Sequence, residues 1–159
     1  MTVTRINKQI FTSGVMSTKK KMDLGVVSAI SLIKNHPKKI GEEIVFPVNG
    51  DFDNKPERIL EILKVIDMEI ENGYTPLLLH CRKGQDRSPT VAALYLYHKG
   101  KFESFDEALE FIRAKNQKIK PKKLFVKFIK EEVLPKLDSE DQSKLGGRAH
   151  GERARVLVP

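Results

Sequence analysis

Apolar residues in this chain follow two patterns, short continuous runs and helical stripes. The clearest stripe begins near Pro56, where apolar side chains recur on one helical face until the Asn-Gly pair at 72–73 supplies a stop. Residues 76–79 are an apolar run after a turn, typical of a central strand that is covered on both faces. A helix that is apolar nearly all round, and should therefore be buried, is predicted from near Pro89 to Gly100.

Weaker signals of the same two kinds flank this central part of the chain. The further predicted elements are a hairpin over residues 3–13, a short helix over 19–24, buried strands over 26–33 and 44–48, a helix that begins with a capping pattern at Ser104, and an amphipathic helix through 124–129. Strands thus alternate with helices. This order predicts a single α/β domain, in which a central mixed, mostly parallel sheet of short strands is flanked by helices.

Composition agrees with one globular domain. The 159 residues are 40% hydrophobic, which is enough for a real core. No apolar run reaches the length of a signal peptide or a bilayer span, so we expect a soluble, cytoplasmic protein. Residues 138–159 carry no periodic apolar pattern, and we predict that they form a disordered or artificially added tail behind a domain of residues 1–137.

The formal net charge of +8 favours anionic partners. Phosphoesters, nucleic acid and acidic membrane surfaces all belong to this class, although most lysines on a protein surface are simply solvated. We infer no stable nucleic-acid or membrane partner, and we expect a monomer.

The chain has a single cysteine, Cys81, which excludes an internal disulfide and a cysteine-based zinc cluster. The four histidines, at positions 36, 80, 98 and 150, lack the spacing of metal ligands, so neither a metal nor a cofactor is expected. Cys81 is therefore either an inert core residue or a reactive one, and its neighbours in the sequence decide between the two.

The neighbours of Cys81 favour a reactive thiol. Cys81 follows the predicted strand, and residues 82–86 form a loop before the predicted helix near Pro89. A helix N-terminus and a nearby guanidinium both favour the thiolate, which is the attacking form of cysteine. A loop of this length can also turn its amide N–H groups inward as an anion nest, for which a phosphoryl group is the natural guest.

The remaining side chains of the loop complete a phosphate site. Arg87 presents a planar fork that can hold two phosphoryl oxygens and stabilise the charge of the transition state. Gly84 permits close approach of the backbone to phosphate. Ser88 is placed to donate a hydrogen bond to the Cys81 sulfur, and His80 is expected to orient the loop. The predicted phosphate-binding residues are Arg82, Lys83, Gly84, Gln85, Asp86 and Arg87.

The run from His80 to Ser88 resembles the His-Cys-five-residues-Arg-Ser/Thr loop of protein tyrosine and dual-specificity phosphatases. The elements before and after it resemble the dual-specificity pattern in order, over residues 4–134. The resemblance implies a protein tyrosine phosphatase-like fold and a phosphomonoester hydrolase that acts on phosphorylated proteins through a cysteinyl-phosphate intermediate. Because the chain has no tryptophan, it lacks the Trp-Pro-Asp loop of receptor-type enzymes, which implies a shallower pocket for phosphoserine and phosphothreonine as well as phosphotyrosine.

The reaction also needs an acid that protonates the leaving oxygen. Members of the resembled family place an aspartate upstream of the cysteine, on a loop after a strand. Asp51 fits that place best and Asp53 is the second candidate, although Asp53 is read more readily as a cap of the helix near Pro56. Asp86, inside the phosphate loop, is a further alternative.

Two features of the loop depart from the usual dual-specificity pattern. Asp86 stands where many of those enzymes have a small or neutral residue, and at this position the loop resembles that of myotubularin-like and Sac-like lipid phosphatases. Asp86 is either the acid or a residue that orients a neighbouring side chain. Arg82 and Lys83 make the loop unusually basic. This charge suits polyanionic substrates such as inositol phospholipids or RNA 5′-triphosphates, which are an alternative to phosphorylated proteins.

Other protein classes use a similar anion-binding loop. A catalytically silent module would keep the nest to bind phosphorylated partners, but the combination of Cys81, Arg87 and Ser88 with an upstream aspartate argues for turnover. Rhodanese-like sulfurtransferases and arsenate reductases also use a reactive cysteine. Arsenate reduction needs resolving thiols that this chain lacks, and rhodanese-type loops differ from this one in spacing.

Overall fold

The structure is a computed structural model that describes residues 1–33, 44–48 and 54–139. Its strands are β1 (Thr4–Arg5), β2 (Ile10–Ser13), β3 (Ser28–Ser31), β4 (Ile44–Val45) and β5 (Leu77–His80). Its helices are α1 (Thr18–Asp23), α2 (Pro56–Glu71), α3 (Arg87–His98), α4 (Phe105–Lys115) and α5 (Lys123–Phe128). The last helix continues through a π-helical turn, Ile129–Val133, and each predicted strand and helix has a counterpart among these elements.

The five strands form one sheet in the order β1-β2-β5-β3-β4. β1 and β2 are antiparallel, whereas the pairs β2–β5, β5–β3 and β3–β4 are parallel. The sheet is therefore mixed and mostly parallel, as the alternation of strands and helices predicts.

β5 lies at the centre of the sheet because its side chains are apolar on both faces. Leu77 and Leu79 join the main core, whereas Leu78 packs in a smaller cluster with Met16 and Ala29. All three leucines are fully buried, which stabilises the fold by roughly 2 kcal/mol for each side chain. The apolar run at 76–79 thus occupies the central position that the sequence predicts.

Three parallel strands end at one level of the sheet. His80, at the end of β5, is paired with Ser13 of β2 on one side and with Ser31 of β3 on the other. The carboxyl ends of parallel strands open on the same edge, where α/β sheets hold their ligands. The chain that leaves β5 therefore starts its loop between two fixed neighbours.

The helices begin at the caps that the sequence contains. Ser17 caps α1 and Ser104 caps α4, each by accepting a hydrogen bond from the amide three residues on, and Pro56 is the first residue of α2. α3 begins at Arg87, two residues before the expected start near Pro89. A proline in the first turn lacks only an amide that has no partner within the helix, so the turn forms around it.

The two strands predicted before α2 are shorter than expected. Residues 26–33 contain only β3, and residues 44–48 contain only β4. Beyond β4 the chain still follows its neighbour, since Val48 N donates to Leu32 O at 2.9 Å. Both of these residues are buried without belonging to a strand, and for this reason the apolar pattern overstates the strand lengths.

The C-terminal helix remains helical to residue 139, two residues past the predicted end of the domain at 137. The rest of the predicted tail, residues 140–159, lies outside the described residues. Across the described ranges, no helix combines the length and the apolar character that a bilayer span requires.

A polar contact joins α2 to α3 at the edge of the core. The hydroxyl of Tyr95 donates to Asp67 Oδ1 at 2.9 Å, and Lys99 Nζ lies 2.9 Å from the same oxygen. Burial of the phenol, followed by the charge of Asp67 and the hydrogen bond to it, raises the pKa of Tyr95 well above its ordinary value.

We expect Tyr95→Phe to lower the free energy of unfolding by roughly 1–3 kcal/mol near neutral pH, because a buried hydrogen bond to a charged group is lost. The folded-state pKa lies above that of an unfolded tyrosine, so this contribution is complete below a pH of about 10 and declines above it. Urea unfolding of both proteins at neutral and at clearly alkaline pH measures the difference. A difference that grows with alkaline pH would contradict this account of the contact.

Candidate active site

The loop at residues 82–86 connects the end of β5 to the start of α3. Just before it, Cys81 is buried, and its amide donates to Ser13 O at 3.0 Å. The next residue after β2, Gly14, pairs with Lys83 in an isolated antiparallel bridge. The chain that follows β2 thus holds both the cysteine and the middle of the loop.

Two glycines let the loop pack against the N-terminal segment. Gly84 has a φ of +80°, and a Cβ there would collide with Thr2 O and approach Gly14 N to 2.6 Å. A Cβ at Gly14 would come within 2.6 Å of Arg82 O, and Thr2 N donates to Lys83 O at 2.9 Å. The close approach at Gly84 is therefore made to the protein's own backbone, which sets the shape of the loop.

Ser88 lies in the first turn of α3, beside the sulfur of Cys81. The distance from Sγ to the Ser88 Oγ is 3.3 Å, and both side chains are buried. Ser88 Oγ also lies 3.4 Å from Ser13 O. When the sulfur is a thiolate it is the better acceptor, since hydrogen bonds to charged groups are the stronger ones. The N-terminus of α3 adds a dipole that favours negative charge at the same point.

Arg87 is the first residue of α3, and its guanidinium reaches the chain that follows β4. Nη1 donates to Val48 O at 2.7 Å, across 39 residues of sequence. The edge formed by Nε and Nη2 carries a pair of N–H donors, and two phosphoryl oxygens can accept hydrogen bonds from them. The sequence pattern does not single out Val48, because a contact through a backbone carbonyl does not depend on the side chain.

Asp86 is held on the opposite side of the loop by the segment before α5. Its Oδ1 accepts a hydrogen bond from Lys122 N at 2.7 Å, and Lys120 N donates to Gln85 O at 2.8 Å. The Asp86 carboxylate is thus tied to the backbone of a neighbouring segment, and its predicted role, as an acid or as a residue that orients a neighbouring side chain, stays a prediction.

His80 and Gln85 stand at the two ends of the loop and contact different segments. His80 is 1% exposed, and its carbonyl accepts a hydrogen bond from Leu32 N at 2.8 Å. Gln85 donates from Nε2 to Thr2 Oγ1 at 3.1 Å. Thr2 is a further residue that sequence reasoning misses, since a single threonine so far from the loop in sequence carries no signal.

The loop borders a cavity of about 330 Å³. Its lining residues are Cys81, Arg82, Lys83, Gln85, Asp86, Arg87, Lys120 and Lys122. Five of these carry a positive charge and one a negative charge, an excess that raises the local concentration of anions. Lys120 and Lys122 are not among the residues that sequence reasoning names, although the basic run around Pro121 is a signal that could have indicated them.

The upstream aspartates, Asp51 and Asp53, lie outside the described residues. The expectation that Asp53 caps the helix near Pro56 lies outside the described residues as well, and the N-cap position of that helix is Lys55. Proline is the first helical residue there, so the cap position falls directly before it. In the part of the chain that the structure describes, no group of three or more His, Cys, Asp or Glu side chains could hold a metal ion.

We expect Gly84→Ala to disrupt the loop, because the added methyl group meets backbone atoms of the N-terminal segment. Gly73→Ala is the matched control, since φ is +81° there and nothing lies within 4 Å of its Cβ position. Both variants carry the cost of a left-handed alanine, roughly 1–2 kcal/mol, and only Gly84→Ala adds the collision. Thermal unfolding with and without tungstate should show a lower Tm for both variants, a clearly larger drop for Gly84→Ala, and a lost tungstate shift for Gly84→Ala alone. Equal behaviour of the two variants would contradict the packing of the loop.

Comparison with known proteins agrees with this geometry. A family model described as "Dual specificity phosphatase, catalytic domain" matches residues 11–132. Among curated proteins, none matches the sequence at a significant level.

Several solved structures share the fold. PTP-2 phosphatase of Cydia pomonella is 20% identical with a TM-score of 0.69, covering 80% of this chain and 88% of its own. Human DUSP28 is 16% identical with a TM-score of 0.68, covering 90% and 99%. PTPMT1 in complex with PI(5)P is 15% identical with a TM-score of 0.73, covering 87% and 98%. These likenesses show the fold. The family match extends from β2 into the C-terminal helix, and the chain therefore belongs to the dual specificity phosphatase catalytic domain family of cysteine-based phosphatases.

Proposed function

We propose that this protein is a protein phosphatase that hydrolyses phosphomonoesters of tyrosine, serine and threonine through a cysteinyl-phosphate intermediate. The observation that carries the proposal is the arrangement at the start of α3. The Cys81 sulfur lies 3.3 Å from the Ser88 hydroxyl, and Arg87 lines the same basic cavity as the sulfur. The family match supports a phosphatase of this kind.

In the first step, the Cys81 thiolate attacks phosphorus, and the bond to the leaving oxygen breaks as the S–P bond forms. An acid protonates the leaving oxygen. Arg87 binds two equatorial oxygens and stabilises the charge that they carry in the transition state. Because Nη1 donates to Val48 O, the protein itself holds the guanidinium in one orientation. Little entropy is then lost in orienting it during the reaction.

In the second step, water attacks the phosphorus of the cysteinyl phosphate and the S–P bond breaks. The sulfur leaves as a thiolate, and the Ser88 hydroxyl donates a hydrogen bond to it. The residue that acted as the acid is now ionised and takes the proton from the attacking water. Inorganic phosphate is released, and both the thiolate and the protonated acid are restored.

We assign the acid role to Asp51. Asp51 is the third residue after Val48, so the two Cα atoms are at most about 11 Å apart, and the Val48 carbonyl contacts Arg87. Asp86 is the poorer candidate, because its Oδ1 already accepts a hydrogen bond from the amide of Lys122, which holds the carboxylate against the segment before α5. Asp53 remains the second upstream candidate.

Cys81→Ser should lower kcat for an aryl phosphate by roughly 10⁴- to 10⁶-fold, because a hydroxyl is not appreciably ionised near neutral pH and the nucleophile is lost. Tungstate binding, measured by calorimetry, should persist because the loop and Arg87 are intact. Acid-quenched wild-type protein should carry one added phosphoryl group on Cys81 in intact-mass spectra. Wild-type protein that binds tungstate but never turns over would instead be the silent binding module.

The acid can be identified by how each aspartate variant responds to the leaving group. Asp51→Asn should slow hydrolysis of an alkyl phosphate by roughly 10²- to 10⁴-fold and affect an activated aryl phosphate far less, because a good leaving group needs little protonation. Asp53→Asn and Asp86→Asn are the matched controls, and kcat/KM is measured for both substrates. If Asp86→Asn shows the leaving-group dependence, the acid lies in the phosphate loop.

A further inference from the structure

A groove runs between α4 and α5, next to the catalytic cavity, with a volume of about 510 Å³. We call it the α4–α5 groove, and its lining includes Leu109, Arg113, Pro121, Lys123, Val126 and Lys127. Lys120 lines both this groove and the catalytic cavity. The two concave sites are therefore neighbours along one continuous surface.

The groove combines an apolar strip with basic edges. Leu109 is buried, whereas Pro121 and Val126 are half-buried and can be covered further by a ligand. Lys123 and Lys127 are exposed on the adjoining turns of α5. A surface of this kind fits a ligand that brings an apolar group flanked by negative charges.

Several cations of the groove have no acidic partner. Arg113 is paired with Glu110 at 2.8 Å, and Lys130 with Asp106 at 2.7 Å. By contrast, Lys120, Lys123 and Lys127 form no ion pair within the described ranges. Glu131 also lines the groove and offsets part of this charge, but five basic side chains line it as well, so positive charge stays in excess along the path from the catalytic cavity into the groove.

The segment that carries this path is fixed to the phosphate loop. Lys120 N donates to Gln85 O at 2.8 Å, and Lys122 N donates to Asp86 Oδ1 at 2.7 Å. The start of the groove therefore has a set position relative to the Cys81 sulfur. Because Lys120 lines both cavities, the flank of a substrate whose phosphate sits at the sulfur would meet the groove at this residue.

We propose that the α4–α5 groove docks an acidic segment of the phosphoprotein substrate, with carboxylates at the lysines and an apolar side chain over Leu109 and Val126. The proposal rests on the proposed function, since it assigns the flank of the same substrate. Charge favours this occupant over two alternatives, which are the C-terminal residues of the chain itself and a second copy of the chain. The chain's own residues 140–159 carry four basic side chains and three acidic ones, so they bring no net negative charge, and a second copy of the chain carries a net charge of +8.

The test compares phosphotyrosine peptides that share one phosphorylated residue. One peptide has a flank of glutamates around a leucine, a second has glutamine in place of glutamate, and a third has asparagine in place of leucine. We expect kcat/KM for the first to exceed the other two by about 5- to 20-fold, the effect of a few exposed ion pairs and a small apolar contact, and mainly through KM. The advantage over the glutamine peptide should shrink at high salt.

The protein variant is the double substitution Lys123→Glu with Lys127→Glu, because both residues line the groove and neither lines the catalytic cavity. Lys123 is the first residue of α5, where the helix dipole favours an acid, so Lys123→Glu does not weaken the helix. The matched control is Lys8→Glu with Lys64→Glu, which makes the same charge change at exposed positions elsewhere. Only the groove variant should lose the preference, and both should hydrolyse a small aryl phosphate at the wild-type rate.

The docking proposal and the proposed function fail in different ways. If wild-type protein hydrolyses the aryl phosphate but treats all three peptides alike, docking is overturned and the phosphatase proposal stands. If no substrate is hydrolysed, fluorescence anisotropy of the same peptides on Cys81→Ser still decides docking, with a preference that the groove variant removes as the supporting result. Phosphatidylserine vesicles that bind through the groove lysines, without any peptide preference, would overturn docking in favour of a membrane surface.

Discussion

A parallel ladder of backbone hydrogen bonds joins β2, β5 and β3 and ends with Ser13, His80 and Ser31 in register. The same ladder reaches one residue further, where the Cys81 amide donates to Ser13 O at 3.0 Å. A slip of one residue would turn the leucines of β5 to the wrong faces of the sheet, because side chains alternate along a strand. The height of the sulfur above the sheet is therefore fixed by burial of apolar side chains in the core.

The loop that follows gains its shape from separate parts of the chain, and it does so through backbone atoms. Thr2 holds it from the N-terminus, Val48 holds Arg87 from the chain after β4, and residues 120–122 hold Gln85 and Asp86 from the far side. Each of these contacts is made between protein atoms alone. In a site organised in this way, little substrate binding energy is needed to order the binding groups, and these groups can stabilise the charge of a transition state without first rearranging.

Local signals in the sequence suffice for the elements, because an apolar run at 76–79, a proline at 56 and serine caps at 17 and 104 act on their own neighbours. The same signals overstate β3 and β4, since apolar residues next to a strand can be buried in a loop. Contacts between residues that are distant in the sequence leave no such local signal when a backbone group makes them. The Val48 carbonyl and the Lys122 amide reach Arg87 and Asp86 across 39 and 36 residues, and neither depends on its own side chain. Sequence reasoning therefore names candidate side chains and misses the backbone groups that hold them.

The chemistry of the phosphate loop limits which phosphorylated molecules it can distinguish from one another. Backbone amides, a helix N-terminus and one guanidinium recognise a phosphoryl group in the same way whatever molecule carries it. Asp86 adds no selectivity for that group, since its Oδ1 is engaged by the amide of Lys122. Discrimination among phosphorylated molecules must therefore come from surfaces next to the loop. One described surface of this kind, which shares Lys120 with the catalytic cavity, is basic with an apolar floor, and this is why the proposed docking depends on charge and apolar character in the flank of a substrate.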